Sequence, residues 1–416
     1  MGFAYRDGAL CAESVPLDEI ARRFGTPCYV YSRAGIERNY GAFAQALAGR
    51  DAMLAYSVKA NSSLAVLALL ARLGAGFDIV SAGELDRVRA AGGDPRRVLF
   101  SGVGKTADEI RRALEAGVLC LNLESEAEME RVDAIAGQLG RRAPIAFRVN
   151  PDVDPQTHPY ISTGLKQSKF GIAYADAERL YRAAAGRRNL ELVGIGCHVG
   201  SQLCSAAPFV DAARRIAALA ERLARAGIAL RHIDLGGGFG IRYRDETPPP
   251  IAEFLDGAIG ALAGRGETLI VDPGRAIVGS AGILLTRIEY AKPGEAKNFL
   301  VVDAAMNDLL RPALYDAWHE VLPVRRTESG AGEDVYDIVG PVCESADFLA
   351  RERRLAAGAG DLLALMCAGA YGMAMSSNYN SRPRAAEVLV DGRAAHLVRP
   401  RERSEDLFAR EEVPPL

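Results

Sequence analysis

Lys59 stands inside the stretch Tyr56-Ser-Val-Lys-Ala-Asn61, just past the apolar run Ala52-Met-Leu-Ala-Tyr-Ser-Val58. An amine of this kind condenses with an aldehyde to form a Schiff base, which other side chains do not do. A lysine that follows a buried strand also stands where barrels and doubly wound sheets carry their chemistry. An ordinary surface lysine can occupy the same place, so the other residues must decide. His198-Val-Gly-Ser-Gln202 supplies a flat ring and a hydroxyl, Ser201, while Gly236-Gly-Gly238 and Gly274-Arg275 supply bare backbone. Glycine backbone lets N–H groups come close to phosphate oxygens. Asp272 offers a carboxylate that suits a pyridinium nitrogen. Aldehyde anchor, stacking ring, phosphate cradle and ring-nitrogen partner together fit pyridoxal 5'-phosphate.

These residues must be positioned by regular elements. Eight β-rich runs recur between about Ile36 and residue 280: Met53–Val58, Phe77–Val80, Val98–Ser101, Leu119–Leu123, Ile145–Val149, Leu192–His198, His232–Leu235 and Leu269–Asp272. Helical patterns separate them. Ser81-Ala-Gly-Glu84, Thr106-Ala-Asp-Glu109 and Ser125-Glu-Ala-Glu128 each fit a capping box, and Met129, Val132 and Ile135 follow at helical spacing. Short, wholly apolar runs suit strands buried on both faces. Eight of them in that length predict a (β/α)8 TIM-type barrel over residues 36–280. An open doubly wound sheet would usually have fewer strands, and no G-x-G-x-x-G follows the first run. Lys59, Arg148, Asn150, His198, Gly236–Gly238 and Asp272–Arg275 then all fall at strand C-termini, where a barrel places its active site.

Beyond Gly279 the rhythm changes. Ile283–Tyr290, Asn298–Val302, Val335–Val339, Asp361–Cys367 and Glu387–Val390 read as strands joined by turns. Residues 281–416 are therefore expected to form a β-sandwich or β-barrel domain, joined by residues 1–35, where Cys28–Tyr31 is extended and little forces a helix. The overall class is α/β plus all-β. The Pro248-Pro-Pro250 tract reads as a loop before the last barrel helix.

Composition narrows the function. Lys and Arg number 50 against 53 Asp and Glu, a net charge of −3, which offers no footprint for nucleic acid. No apolar run approaches the roughly 18 residues of a membrane span, and Met1–Asp7 carries charge where an export signal is apolar. A cytoplasmic protein is expected. Seven cysteines without C-x-x-C spacing read as reduced thiols, and five histidines without a ligand cluster predict no metal.

Several blocks resemble the diaminopimelate decarboxylase branch of the group IV (alanine-racemase-like, fold-type III) pyridoxal-phosphate decarboxylases. They are Tyr56–Asn61, Asn150-Pro-Asp-Val-Asp154, Thr157–Gly164, Lys169-Phe-Gly171, His198–Gln202, Gly236–Gly238, Arg311-Pro-Ala-Leu-Tyr315, Gly340-Pro-Val-Cys-Glu-Ser345 and Met375–Asn380. The resemblance spans nearly the whole chain. It implies a Schiff base on Lys59 and His198 stacked on the ring. Phosphate would be held by Ser201, Gly236, Gly237, Gly238, Gly274 and Arg275, with Tyr371. Substrate would lie against Arg275, Arg311, Tyr315, Glu344 and Tyr371. It implies Cys343 as the proton donor and a homodimer in which Cys343 and Glu344 reach the other subunit's site. An ordinary thiol, with a pKa of about 8.5, keeps its proton near neutrality.

The implied reaction is decarboxylation of meso-2,6-diaminopimelate to L-lysine, the last step of lysine biosynthesis. Two arginine forks suit a distal carboxylate, and Glu344 suits a distal ammonium. A sister decarboxylase acting on ornithine, arginine, lysine or a carrier-bound amino acid would share the cofactor residues. A racemase would release no carbon dioxide, and a small non-catalytic cofactor-binding barrel would lack the region after Gly279. One departure stands out: the family usually carries Glu-Pro-Gly-Arg where this chain has Asp272-Pro-Gly-Arg275, with one methylene less reach.

Overall fold

Eight parallel strands close on themselves. We label them β1 (Ala52–Ser57), β2 (Gly76–Ile79), β3 (Val98–Phe100), β4 (Cys120–Leu123), β5 (Ala143–Asn150), β6 (Leu190–Gly196), β7 (His232–Asp234) and β8 (Thr268–Val271). Each pairs with its successor in parallel; β8 pairs with β1 through Leu269 and Ala52, and β4 with β5 through Leu121 and Ile145. The computed structural model describes residues 2–153, 169–326 and 333–415. The chain divides into two units, one of Asn39–Ile241 with Glu246–Ala276, the other of Met1–Arg38, Arg242–Asp245 and Ile277–Leu416. The Thr157–Gly164 block lies outside the described residues.

Strand side chains alternate between the two faces of a sheet, so every second residue points into a barrel. Met53, Ala55, Leu99, Cys120, Ala146, Val193 and Ile270 pack together as one buried cluster. Two residues further along their strands come Ser57, Ser101, Asn122, Arg148 and Asp272. The inward positions thus change from apolar to polar toward the C-terminal ends. That change turns a packed core into a reactive mouth.

Helices cover the barrel, and three begin at the expected caps. Ser81, Thr106 and Ser125 each accept the N–H of the glutamate three residues on. Only Glu109 returns the bond to its own cap. Glu84 and Glu128 instead accept from Val80 and Glu124, one residue earlier. The helix Ile251–Ala261 starts directly after Pro250.

The second unit is mostly sheet. Its long strand Gly282–Lys292 pairs at its start with Cys28–Ser32 and Leu362–Leu365, and at its far end with Asn298–Val302. Cys28–Ser32 also pairs with Ala386–Asp391, so residues near the N-terminus complete this sheet. Phe3–Arg6, Ala9–Ala12 and Val15–Pro16 form a small sheet of their own. Two differences from the sequence reading have plain causes. A helix spans Leu17–Phe24, with Asp18 and Glu19 in its first turn, Arg22 and Arg23 in its last, and Leu17, Ile20 and Ala21 buried; end charges complement the helix dipole in a segment too short to display a period. Among the described residues the strand Phe348–Leu355 pairs only with Asp334–Val339, and it is rich in charge, as edge strands are. No helix among the described residues is long and apolar enough to cross a membrane.

Candidate active site

The turn that carries Lys59 is fixed by its own motif. After β1, Val58–Ala60 makes one 3-10 turn. The fully buried Tyr56 donates its hydroxyl to Asn61 O at 2.9 Å, and Asn61 Oδ1 accepts Ser63 N–H at 3.0 Å. Lys59 Nζ lies 3.2 Å from Asp78 Oδ2. Asp78 is almost wholly buried and also accepts from Ser57 Oγ at 3.3 Å and from Ser101 Oγ at 2.6 Å, with Asn122 Nδ2 on Ser101 behind it. A hydrogen-bonded rail of β1, β2, β3 and β4 side chains therefore ends at the amine.

The loops after β6, β7 and β8 are laced together. Asp234 Oδ1 accepts Gly236 N–H at 2.9 Å, and Gly238 O accepts Leu203 N–H at 2.8 Å. Gln202 exchanges bonds with the backbone of Ile241, and Arg275 Nη2 donates to Ser201 Oγ at 3.0 Å. Gly238 has φ +94°, and a Cβ there would come within 2.1 Å of Gly200 O. A Cβ on Gly274 would meet Ala60 Cβ at 2.8 Å, so β8's exit packs directly on the Lys59 turn. Only glycine satisfies both places.

A cavity of about 370 Å³ opens here, lined by Lys59, Asp78, Ser101, Asn122, Arg148, Phe170, His198, Asp234 and Asp272 among others. Burial, with the nearby Arg148 and Lys59 charges, holds His198 well below its ordinary pKa. Gly237 N–H points at His198 Nδ1 at 3.3 Å, which leaves the proton on Nε2. Burial, then the neighbouring Asp234 and Asp78 carboxylates, push Asp272 well above the usual carboxylate range. Burial pushes Asp234 up to about 7.

The remaining predicted residues belong to the second unit. Arg311 opens the short helix Arg311–Tyr315; it is buried, 4.6 Å over the Tyr243 ring, with Nη1 2.8 Å from His319 Nε2. His319 Nδ1 faces Met366 O at 2.8 Å, so Nδ1 donates and Nε2 accepts. Tyr315 is half-buried. Cys343 and Glu344 are exposed on the Gly340–Asp347 loop, where Asn380 Oδ1 accepts Cys343 N–H at 2.8 Å. Tyr371 is half-buried at φ +56°.

Residues 33–279 match the family model described as the pyridoxal-binding domain of pyridoxal-dependent decarboxylases. The chain is 59% identical to a diaminopimelate decarboxylase of Pseudomonas aeruginosa over 413 residues, covering 99% of each protein. It is also similar to the diaminopimelate decarboxylase structure from M. jannaschii in complex with L-lysine, at 36% identity and TM-score 0.94, covering 99% of this chain and 98% of that one. The corresponding Helicobacter pylori structure, also with L-lysine, gives 41% identity and TM-score 0.92 over 95% and 99% of the two chains. The chain belongs to the diaminopimelate decarboxylase family.

The cofactor of pyridoxal-dependent decarboxylases fits the residues present. Asp272 Oδ1 is buried and has no hydrogen-bond partner among the described residues. A protonated ring nitrogen would satisfy that oxygen and offset both the burial and the neighbouring Asp234 and Asp78 carboxylates that raise the Asp272 proton affinity. Asp272, one methylene shorter than a glutamate, thus still lines the cavity. Sequence reasoning passed over Asp78, Ser101, Asn122 and Asp234 and gave Arg148 no role. For Ser101, Asn122, Arg148 and Asp234 a signal was present: each is a polar residue at or near the C-terminal end of a short, mostly apolar run.

Proposed function

We propose that this family member removes one carboxyl group of meso-2,6-diaminopimelate as carbon dioxide and yields L-lysine, using pyridoxal 5'-phosphate held on Lys59. The observation that carries this reading is the shared cavity, with the Lys59 amine on one wall and the orphaned Asp272 Oδ1 on another. The names of the relatives supply the substrate.

When bound, pyridoxal phosphate supplies the sink for the electron pair left on Cα as carbon dioxide departs. Asp78 attracts and aims the Lys59 amine. Asp272 would accept a hydrogen bond from the ring nitrogen and so keep the proton there. His198, neutral in its dry pocket, offers a ring face without adding positive charge. Ser201, Tyr371 and the backbone of Gly236, Gly237, Gly238, Gly274 and Arg275 would hold the phosphate. Arg275 and Arg311 take the far carboxylate as planar forks, Glu344 takes the far ammonium, and Tyr315 and Tyr371 contact the substrate. Cys343 delivers the proton to Cα. Two copies of the chain share their sites, with Cys343 and Glu344 given to the partner, and the enzyme works in the cytoplasm.

Purified protein with pyridoxal phosphate and meso-diaminopimelate should release carbon dioxide and lysine in equal amounts. Carbon dioxide without lysine, or neither, would refute the reading.

A further inference from the structure

Cys343 occupies an exposed loop, so its aim depends on its backbone rather than on packing around the thiol. That backbone is held from two sides. From within, the buried Asp347 accepts Met306 N–H at 2.6 Å through Oδ1 and Val342 N–H at 2.8 Å through Oδ2. Gly340 N–H reaches Asp347 O and Asp347 N–H reaches Glu344 O, which closes the loop on itself. A Cβ on Gly340 would stand 2.5 Å from Asp347 Oδ2 and 2.6 Å from Ala305 Cα, so the closure leaves no slack.

From across, Asn380 holds Cys343 itself through the 2.8 Å bond from Cys343 N–H to Asn380 Oδ1. Asn380 sits at φ +56°, ψ 29°, the left-handed region in which asparagine is among the few tolerated side chains. Its turn is anchored in its own right. Asn378 Nδ2 donates to Arg382 O and to Glu402 Oε2, Glu402 also accepts from Arg384 and Arg399, and Arg382 Nη2 donates to Asp303 O. A strained residue on a braced turn, spending its side-chain oxygen on one backbone N–H, is a positioning device.

We propose that Asn380 is a positioning residue for the protonation step: it fixes the Cys343 backbone and thereby the atom that the thiol can reach. The inference rests on Cys343 being the proton donor. Once the Cα–carboxylate bond breaks, the electron pair left behind takes a proton at one of two carbons. Protonation at Cα gives lysine and returns the cofactor unchanged. Were the proton instead taken up on the cofactor's side, hydrolysis by one water would release 2-amino-6-oxohexanoate and leave the cofactor aminated, the carbon dioxide having already departed. A loosened Cys343 shifts the balance toward the second outcome, whereas general destabilisation does not.

The test compares the holoenzyme with Asn380→Gly, Asn380→Asp and Cys343→Ala, reading kcat, KM and the ratio of lysine to carbon dioxide. Glycine keeps the left-handed backbone and loses the acceptor; aspartate keeps the acceptor. Asn380→Gly should lose about tenfold in kcat, as expected for one lost hydrogen bond, with KM within about twofold and a ratio below one. Asn380→Asp should retain most of the rate and a ratio near one. An unchanged kcat and ratio in Asn380→Gly, with both altered in Cys343→Ala, would overturn the role of Asn380 alone. An unchanged Cys343→Ala would overturn the proton-donor assignment instead. If Asn380→Gly does not fold, a ratio well below one in folded Asn380→Asp would still overturn the proposal.

Discussion

Lys59 Nζ lies 3.2 Å from Asp78 Oδ2, and Asp78 is itself held by the hydroxyls of Ser57 and Ser101. The amine is part-exposed while the carboxylate is buried, so the pair belongs to the cavity mouth and serves orientation more than stability. Asp78→Asn should keep the shape and lose the charge. We expect about a tenfold fall in kcat with the visible band of the bound cofactor retained. Lys59→Ala should abolish both that band and its reduction by borohydride. A reducible band surviving in Lys59→Ala would move the cofactor to another lysine.

Gly238→Ala would force a side chain into a left-handed backbone and within 2.1 Å of Gly200 O. The loop can relieve this only by opening where phosphate is proposed to bind. Titration by absorbance should give a Kd for pyridoxal phosphate weaker by about tenfold or more, the scale of 1–3 kcal/mol of backbone strain. An unchanged Kd would exclude this loop from the phosphate site.

Arg311→Lys keeps a positive charge but loses the planar fork and the stack on Tyr243. Steady-state kinetics should show KM for meso-diaminopimelate raised about tenfold, with the cofactor band unaltered. An unchanged KM would place the far carboxylate elsewhere.

His232 tests the barrel floor. Its ring lies directly over Gly194, where a Cβ would come within 2.0 Å of Nε2, and burial with the Arg231 charge lowers its pKa to about 4. The folded state therefore binds fewer protons than the unfolded one between about pH 4 and 6.5, and this group's contribution to stability falls as pH falls through that window, by at most ~3 kcal/mol. Glu84 and Asp234, both pushed up to about 7, contribute with the opposite sign, so the difference between proteins carries the result. Thermal melts of His232→Gln should lose less stability than the parent between pH 6.5 and 4. Parallel profiles would contradict the buried neutral imidazole.

Much of the cavity's lining was legible because a barrel gathers its strand ends at one mouth. Lys59, His198, Gly236–Gly238 and Asp272 each follow an apolar run, and all line or adjoin one cavity. Asp78 was not legible, because Phe77-Asp-Ile-Val80 reads as a run with one charge in it and only closure of the barrel shows which way that charge points. Tyr56 and Asn61 looked like flanks of Lys59, yet their bond spans a turn that no periodicity encodes. In the second unit, Phe348–Leu355 hid its strand under Arg351, Glu352, Arg353 and Arg354, whose charges suit an edge. The burial of Arg311 was equally hidden, since its partners Tyr243 and His319 sit on separate segments.

The most direct measurement supplies the holoenzyme with meso-diaminopimelate, ornithine, arginine and lysine separately, following carbon dioxide and identifying each amine. The proposed function predicts kcat/KM for meso-diaminopimelate at least about a hundredfold above the others, the scale of a far-end carboxylate and ammonium both recognised, with lysine as product. Comparable or faster turnover of ornithine, arginine or lysine would contradict it.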